Sequence, residues 1–416
     1  MTADRDNALG IYISIPFCRS KCTYCNFASG VYPASDHARY VDRLIQDLAA
    51  TKLWAFEVGV ELPRLVDTVY LGGGTPSLLA PELLARMFDA MRSAFDFDSG
   101  AEITVECAPG LLADDSLAAL VDAGVNRVSL GVQSFIDGEA RSSGRLHDRA
   151  TVADDLRRLR AAGIANLNVD LIAGLAGQTL ASWQESLDVL IDSGVPHSSV
   201  YMLEVDEDSR LGREMLAGGA RYHADLVPSD DTIARMYTLA IERLSSAGLV
   251  QYEISNFCRP GFASRHNLRY WQRRPYLGLG LDASSMLRAV PNEMNHEEPG
   301  YVLRSTTTDN LAPFLEGPQP VETAWLSPAS QQEEAWFLGL RLNAGVEVVS
   351  LEREFGRSAV APALESVHRL AETGLLTFDG NTVRLTPQGQ LLSNDVFQEF
   401  LGLAPVAELV RPGRDG

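Results

Sequence analysis

The stretch Ile11–Phe27, IYISIPFCRSKCTYCNF, carries a β-branched apolar run straight into three cysteines spaced Cys18-x3-Cys22-x2-Cys25. Thiolate sulfur is the usual protein ligand of iron–sulfur clusters, and a short loop after a strand can turn three thiolates toward one face of a cubane. Three protein ligands leave one iron of a four-iron cluster open. An open metal position marks a site that does chemistry or binds a small molecule, whereas closed four-ligand sites tend to be structural. Zinc is the competing reading, with Cys107 or His37 as a distant fourth ligand. Zinc loops favour paired cysteine units, and the chain has no second pair.

Outward from that loop the chain alternates. Apolar residues at Tyr40, Val41, Leu44, Ile45 and Leu48 predict a helix over 36–56. A short buried strand, 68–71, runs into Gly72-Gly73-Gly74-Thr75-Pro76. Helices over 81–95, 113–122, 150–162 and 180–193 then alternate with strands over 102–106, 127–130, 167–172 and 199–203. Strands each followed by a helix imply an α/β protein with a parallel sheet, whose functional residues collect at the carboxyl ends of the strands. Periodicity leaves open whether the sheet curls into a partial barrel.

The unusual residues sit at those ends. The glycine run lets a backbone approach a ligand closely, or makes a tight turn. Glu106 ends one strand, Gly131-Val132-Gln133-Ser134 ends the next, and Gly144-Arg145-Leu146-His147 follows. Asp170 lies inside an apolar strand, where an ionised side chain needs a partner, be it a ligand or a structural cation. Together these side chains suit one ligand with an amine, a carboxylate and ribose hydroxyls.

Composition bounds the rest. A chain of 416 residues exceeds one ordinary domain, and 46% hydrophobic with 22% charged residues supplies a globular core. A net charge of −20 argues against general nucleic-acid or anionic-membrane binding, since phosphate needs a positive surface. The start MTADRDNALG lacks the pattern of a signal peptide, and no apolar run reaches the roughly 18 residues of a membrane span. A cytoplasmic protein without an integral membrane segment is expected. Five cysteines, three of them clustered, fit a reducing compartment, with Cys107 and Cys258 as ordinary buried thiols.

The motifs IPFCRSKCTYCNF, YLGGGTPSLL, ITVECAPG, VSLGVQSF with GRLH, and VDLIAGLAGQT resemble the radical S-adenosylmethionine (SAM) superfamily, in its coproporphyrinogen-dehydrogenase-like branch. The resemblance spans Ile11 to about Gly280. It implies that Cys18, Cys22 and Cys25 hold a 4Fe-4S cluster whose open iron takes SAM, and that an electron from the cluster can split SAM to a 5′-deoxyadenosyl radical. It further implies SAM contacts at Tyr12, the Tyr24 backbone, Gly73, Gly74, Thr75, Glu106, Gln133, Arg145 and Asp170, in a partial (β/α)6 barrel. Two departures stand out: Cys107-Ala108 replace the family's Ala-Asn, and Ala176 replaces a proline.

Beyond the sixth strand the pattern changes. Ser229 and Asp230 are placed to cap a helix over 229–246. The ten residues 265–274 then hold four arginines, a histidine, a tyrosine and a tryptophan. Such a reversal of charge suits a planar ligand carrying carboxylates, and imidazole is an axial haem ligand. A helix with His266 and Tyr270 on one face and solvated arginines on the other is the plainer reading. The HNxxYW pattern, His266-Asn267-Leu268-Arg269-Tyr270-Trp271, resembles the haem-chaperone subgroup of HemW type, which implies a haem site at His266, Asn267, Tyr270 and Trp271. Coproporphyrinogen III dehydrogenases carry a fourth cysteine in the first loop, where this chain has Phe27, and a longer segment than the 17 residues that precede Cys18 here.

The expected layout is a barrel with the cluster and SAM site over 1–205, an extension with the haem motif over 206–290, and an irregular linker over 291–325. A winged-helix-like C-terminal domain of helices and a hairpin follows over 326–403, with a disordered tail over 404–416. The expected function is a haem chaperone that passes haem to a recipient apo-haemoprotein. An electron donor is required if SAM is cleaved. The alternative is oxidative decarboxylation of coproporphyrinogen III propionates.

Overall fold

The computed structural model describes residues 7–290, 300–319 and 321–403. The tail expected over 404–416 lies outside them.

Six strands form the expected parallel core: β1 (Leu9–Ile15), β2 (Leu65–Gly73), β3 (Asp96–Cys107), β4 (Arg127–Gln133), β5 (Asn166–Ala173) and β6 (His197–Met202). They lie side by side in chain order, every neighbouring pair parallel. Each crossover is helical. The helix Ser35–Val58 buries Tyr40, Val41, Leu44 and Leu48, the stripe its periodicity predicts. In β4, Val128, Leu130 and Val132 are buried on one pleat while Ser129, Gly131 and Gln133 share the other. That second face is the polar interior.

The extension adds strands at both margins of the same sheet. β7 (Val250–Glu253) and β8 (Asn256–Cys258) continue it antiparallel beyond β6, whereas β9 (Tyr276–Leu279) pairs parallel with β1. β1 is therefore bordered by β2 and β9, and β6 by β5 and β8, so the core is an open, partial barrel.

One expectation needs correction. The stretch read as an irregular linker, 291–325, holds a strand β11 (Val302–Thr306), a helix Leu311–Glu316 and a strand β12 (Glu322–Leu326), which extend the sheet beyond β10 (Ser284–Arg288). Ladder hydrogen bonds to neighbouring strands stabilise short strands, so VLRST and, at the sheet edge, ETAWL need no alternating pattern to form. A smaller correction concerns Ser229, which stands at the N-cap of the helix Asp230–Ser246 but whose side chain makes no bond to the helix backbone. Its hydroxyl lies 3.0 Å from that of Thr232 instead.

The described residues group into two compact units. The second takes Trp271–Arg273, Gly300–Val302 and the chain from Trp325 onward. Its helices Pro328–Leu340, Val348–Phe355 and Arg357–Glu372 enclose Trp336, stacked on Phe400 with ring centroids 5.2 Å apart. β13 (Val346–Glu347), β14 (Leu376–Phe378) and β15 (Thr382–Leu385) make a small antiparallel sheet, and Asp379 closes its turn by accepting from Asn381 N at 3.0 Å and Thr382 N at 2.7 Å. Helices followed by this sheet are the winged-helix-like plan expected.

Candidate functional site

β1 delivers the cysteine loop to the carboxyl end of the sheet, and backbone bonds hold the loop there. Cys18 N donates to Gly30 O at 2.8 Å, Gly30 N to Pro16 O at 2.8 Å, and Thr75 N to Phe17 O at 2.8 Å. On the far side Thr23 N donates to Ser143 O at 3.1 Å and Leu211 N to Thr23 O at 2.9 Å. Lys21 Nζ closes the loop on Phe27 O at 2.6 Å and Ser29 O at 2.8 Å. The three thiols are half-buried and free of disulfides. Burial raises the Cys18 thiol, Ser29 and Thr75 oppose this by hydrogen bonding, and Cys25 and Cys22 add to the rise.

The glycine run is what lets the neighbouring strand approach. A Cβ on Gly74 would stand 2.7 Å from Ile15 O and 2.8 Å from Phe17 O, the backbone that carries Cys18. One on Gly72 would stand 2.9 Å from the Glu106 carboxylate. Gly73, at φ +92°, would meet Ser14 Oγ at 2.7 Å. No side chain fits any of the three positions without displacing the site.

Around this cradle the structure gathers most of the residues expected to hold SAM. Glu106 accepts from Tyr70 OH at 2.8 Å. Burial, with the Asp170 charge adding to it, raises the Glu106 carboxyl to about 7 against the pull of Tyr70, Gly73 and Arg145. Tyr12 faces the same carboxylate, and burial followed by Glu106 raises its phenol. Gln133 is buried with φ +69°, a strained conformation of the kind that collects at functional sites. Asp170 lies opposite Gly131 in the sheet and accepts from Ser129 Oγ at 2.9 Å and Asn168 Nδ2 at 2.7 Å. Burial nevertheless raises its carboxyl.

Arg145 stands within electrostatic reach of Cys22 and Cys18. Burial opposes its charge, but Tyr24, Cys22, Asp170 and Cys18 outweigh that and raise it. Its Nε is buried with no hydrogen-bond partner. An unmet donor, an open glycine cradle and three thiols on one pinned loop are the features a cluster with a bound amino-acid-like ligand requires, so the residues fit both groups. The zinc reading fares worse. Cys107 is buried and pushed up to about 12 by burial, Ser77 opposing, while the His37 ring packs 4.0 Å from that of Phe17. Among the described residues no three His, Cys, Asp or Glu side chains form a group that could hold a single metal ion.

The arginine-rich segment is organised differently. The helix Arg265–Trp271 starts against Glu102, whose carboxylate accepts from Arg265 N at 3.1 Å and His266 N at 3.0 Å. His266 is 1% exposed. Its Nδ1 lies 2.9 Å from Thr68 Oγ1 and its Nε2 2.9 Å from Tyr270 OH. Burial, then the charges of Arg269 and Arg127, lower the ring to about 3, so it is a neutral imidazole.

The arginines are not the solvated or ligand-facing set expected. Arg269 is wholly buried, bonded to Asp67 and to the carbonyls of Ala8 at 2.7 Å and Pro275 at 2.8 Å. Arg274 and Arg265 reach the same Asp67 at 3.2 and 3.6 Å, and Arg273 pairs with Glu354 at 2.7 Å. Gly10 has no side chain because the Arg269 stem occupies that space. Asn267 is half-buried, and Trp271 belongs to the second unit, where the Arg341 guanidinium lies 4.2 Å from its ring centroid.

Sequence reasoning missed Tyr70. Its ring lies 6.2 Å from Tyr12 and 5.3 Å from His266 while its hydroxyl bonds Glu106, so it joins the expected SAM contacts to the HNxxYW helix. Its place three residues ahead of Gly73 was the available signal. His147, in GRLH, is likewise buried beside Arg145 and lowered to about 4 by burial and then by that charge.

A pinned three-cysteine loop above a glycine cradle, ringed by acids at the ends of parallel strands, defines a radical SAM protein. Comparison agrees: residues 12–190 match the Radical SAM superfamily and residues 326–392 the HemN C-terminal domain. The heme chaperone HemW of Lactococcus lactis is 33% identical, the match covering 94% of this chain and 96% of that protein. HemW of Bacillus subtilis is also 33% identical, over 94% and 98%. In structure, coproporphyrinogen III oxidase (HemN) of Escherichia coli superposes with a TM-score of 0.78 at 22% identity, covering 95% of this chain and 90% of that one, which establishes the fold. The chain belongs to the HemW family of radical SAM proteins.

Proposed function

We propose that the protein is a haem chaperone that binds haem and passes it to a recipient apo-haemoprotein in the cytoplasm. The observation that carries this reading is the end-to-end similarity to proteins named for that role. Phe27, 61% exposed where the dehydrogenases have a fourth cysteine, supports it against the rival. No described helix is long and apolar enough to cross a membrane.

The cradle would hold a 4Fe-4S cluster on Cys18, Cys22 and Cys25, with SAM against Tyr12, the Tyr24 backbone, Gly73, Gly74, Thr75, Glu106, Gln133, Arg145 and Asp170. When bound, these groups supply one-electron chemistry. Arg145 offers an unmet donor for a carboxylate, and Glu106 and Asp170 offer acceptors for an amine or hydroxyls. Tyr70 fixes the Glu106 carboxylate in place.

For haem, His266 supplies the imidazole, with Asn267, Tyr270 and Trp271 beside it in sequence. Neutral imidazole is the form that ligates iron. With its proton on Nδ1 and donated to Thr68, Nε2 accepts from Tyr270 OH. Ligation at Nε2 therefore requires the Tyr270 hydroxyl to move away, which makes Tyr270 a gate.

An anaerobic haemin titration of the reconstituted protein beside His266→Ala, followed by absorbance, tests this. Saturable one-site binding is expected in the wild type, with weaker binding and an altered spectrum in the variant. Equal spectra and affinities would remove His266 as the ligand. Turnover of coproporphyrinogen III with SAM and a reductant would overturn the pure chaperone role.

A further inference from the structure

Two arginines are fully buried in the first unit, and their surroundings differ. Arg269 has Asp67 and two carbonyls. Arg127, the first residue of β4, is 1% exposed, yet its Nε and Nη2 are buried with no hydrogen-bond partner. A guanidinium taken out of water without an anion or acceptors is costly, so an unmet one in a protein interior calls for a missing partner.

The same level of the sheet holds two more unmet groups. In register, Tyr70 of β2 lies beside Thr104 of β3, Thr104 beside Arg127, and Arg127 beside Asn166 of β5. Paired residues of parallel strands point to one face. Here that face is the interior, since Ser129 and Asn168, two residues further on, both bond Asp170. The Thr104 hydroxyl, on a residue 0% exposed, has no partner, and neither has Asn166 Oδ1. A side-chain amide can turn to present its NH2 instead.

The groups that feel the Arg127 charge include Tyr70, Asp170, His197, Tyr252, Cys258 and His266. None of them takes up its donors. Asp170 is turned to Ser129 and Asn168. Both ring nitrogens of His197 are engaged, with Asn168 at 2.6 Å and Tyr252 at 3.0 Å, and both of His266 with Thr68 and Tyr270.

We propose that Arg127, Thr104 and Asn166 form a buried binding site for one small monovalent anion at the floor of the partial barrel. Such an anion, a halide or a carboxylate of formate size, accepts from the guanidinium fork and the hydroxyl and neutralises the isolated charge. An occupant of that size is neither SAM nor haem, and Arg127 stands six positions before Gln133 in β4 with its Nε and Nη2 buried.

The test is thermal unfolding of the full, cluster-loaded chain under anaerobic conditions. Chloride, bromide or formate is titrated against gluconate, which is too large to enter, at one ionic strength. A saturable rise in the unfolding midpoint with the small anions is expected, because a ligand that binds only the folded state stabilises it. Halide and formate arms distinguish the two kinds of occupant. Arg127→Met should abolish the rise, and Thr104→Val, which keeps shape and removes one donor, should reduce it. Should Arg127→Met fail to fold, crystals grown in bromide decide: anomalous density beside the guanidinium is expected, and water alone there overturns the proposal. Equal midpoints in every salt, or an undiminished rise in Arg127→Met, overturns it as well.

Discussion

The cysteine loop and the helix Arg265–Trp271 are both short, motif-bearing segments, and they handle their side chains in opposite ways. The loop is fixed largely by its backbone: Cys18, Thr23 and Gly30 bond outward through main-chain groups, and the thiols, free of disulfides, meet the hydroxyls of Ser29 and Thr75. In the helix the side chains do the fixing. His266 is bonded at both ring nitrogens and Arg269 is enclosed by Asp67, Ala8 and Pro275. The difference teaches that a motif can be recognisable for two reasons. One keeps its reactive groups free for a cofactor, and the other spends them on architecture and must release one to act.

The largest effect that could break this contrast lies in the loop. Cys22→Ala should abolish the cluster, read as loss of iron, labile sulfide and the brown absorbance, while far-UV circular dichroism stays unchanged. Unfolding of the variant would show that the thiols, and not the backbone bonds, hold the loop. In the helix the expected damage is to stability. Asp67→Ala leaves Arg269 buried without its carboxylate and should lower the unfolding free energy by about 3–5 kcal/mol in denaturant titrations. Burial already pulls Arg269 down to about 10 with Asp67 beside it. A loss below about 1 kcal/mol would show that the arginines are not architectural.

Tyr70 ties the two regions, so the Glu106 titration sharpens the comparison. The Glu106 carboxyl is raised to about 7, chiefly by burial, so its protonated form is favoured in the folded protein. Stability from this group is complete below the ordinary carboxylate range and is lost as pH rises through about 7. A bound amine favours the ionised form, so SAM affinity should run the other way. It should climb toward about 7 and fall by up to about tenfold per pH unit below it. Glu106→Gln should flatten that slope in calorimetric titrations, and an unchanged slope would assign it to another group. The smallest effect is expected at the gate. Tyr270→Phe removes one hydrogen bond to Nε2 and should tighten haem binding by about twofold to tenfold. Weaker binding would make Tyr270 part of the haem site.

Much of this was legible in the chain. The succession of strands and helices followed from alternating periods, since a helix stripe such as Tyr40, Val41, Leu44 and Leu48 shows its buried face locally, whereas the partial barrel was implied only by the family resemblance. Cys18, Cys22 and Cys25 were legible because their spacing alone puts them on one short loop. The strands of 302–306 and 322–326 were not, because short strands held by ladder bonds to their neighbours need show no alternating pattern. The arginines of 265–274 misled because Asp67 is some two hundred positions upstream, and Glu102, which anchors the helix start, is equally remote.

The sequence by itself determined the class of fold, the placing of three thiols on one short loop and the glycine cradle, because each rests on residues near one another in the chain. Only the tertiary structure decided that His266 is a locked neutral imidazole, that Asp67 gathers three arginines, and that Arg127 stands in the interior with its Nε and Nη2 unmet. Burial sets the charge state and the hydrogen-bond partners of such groups, and burial is fixed by strands that meet in the sheet from distant parts of the chain.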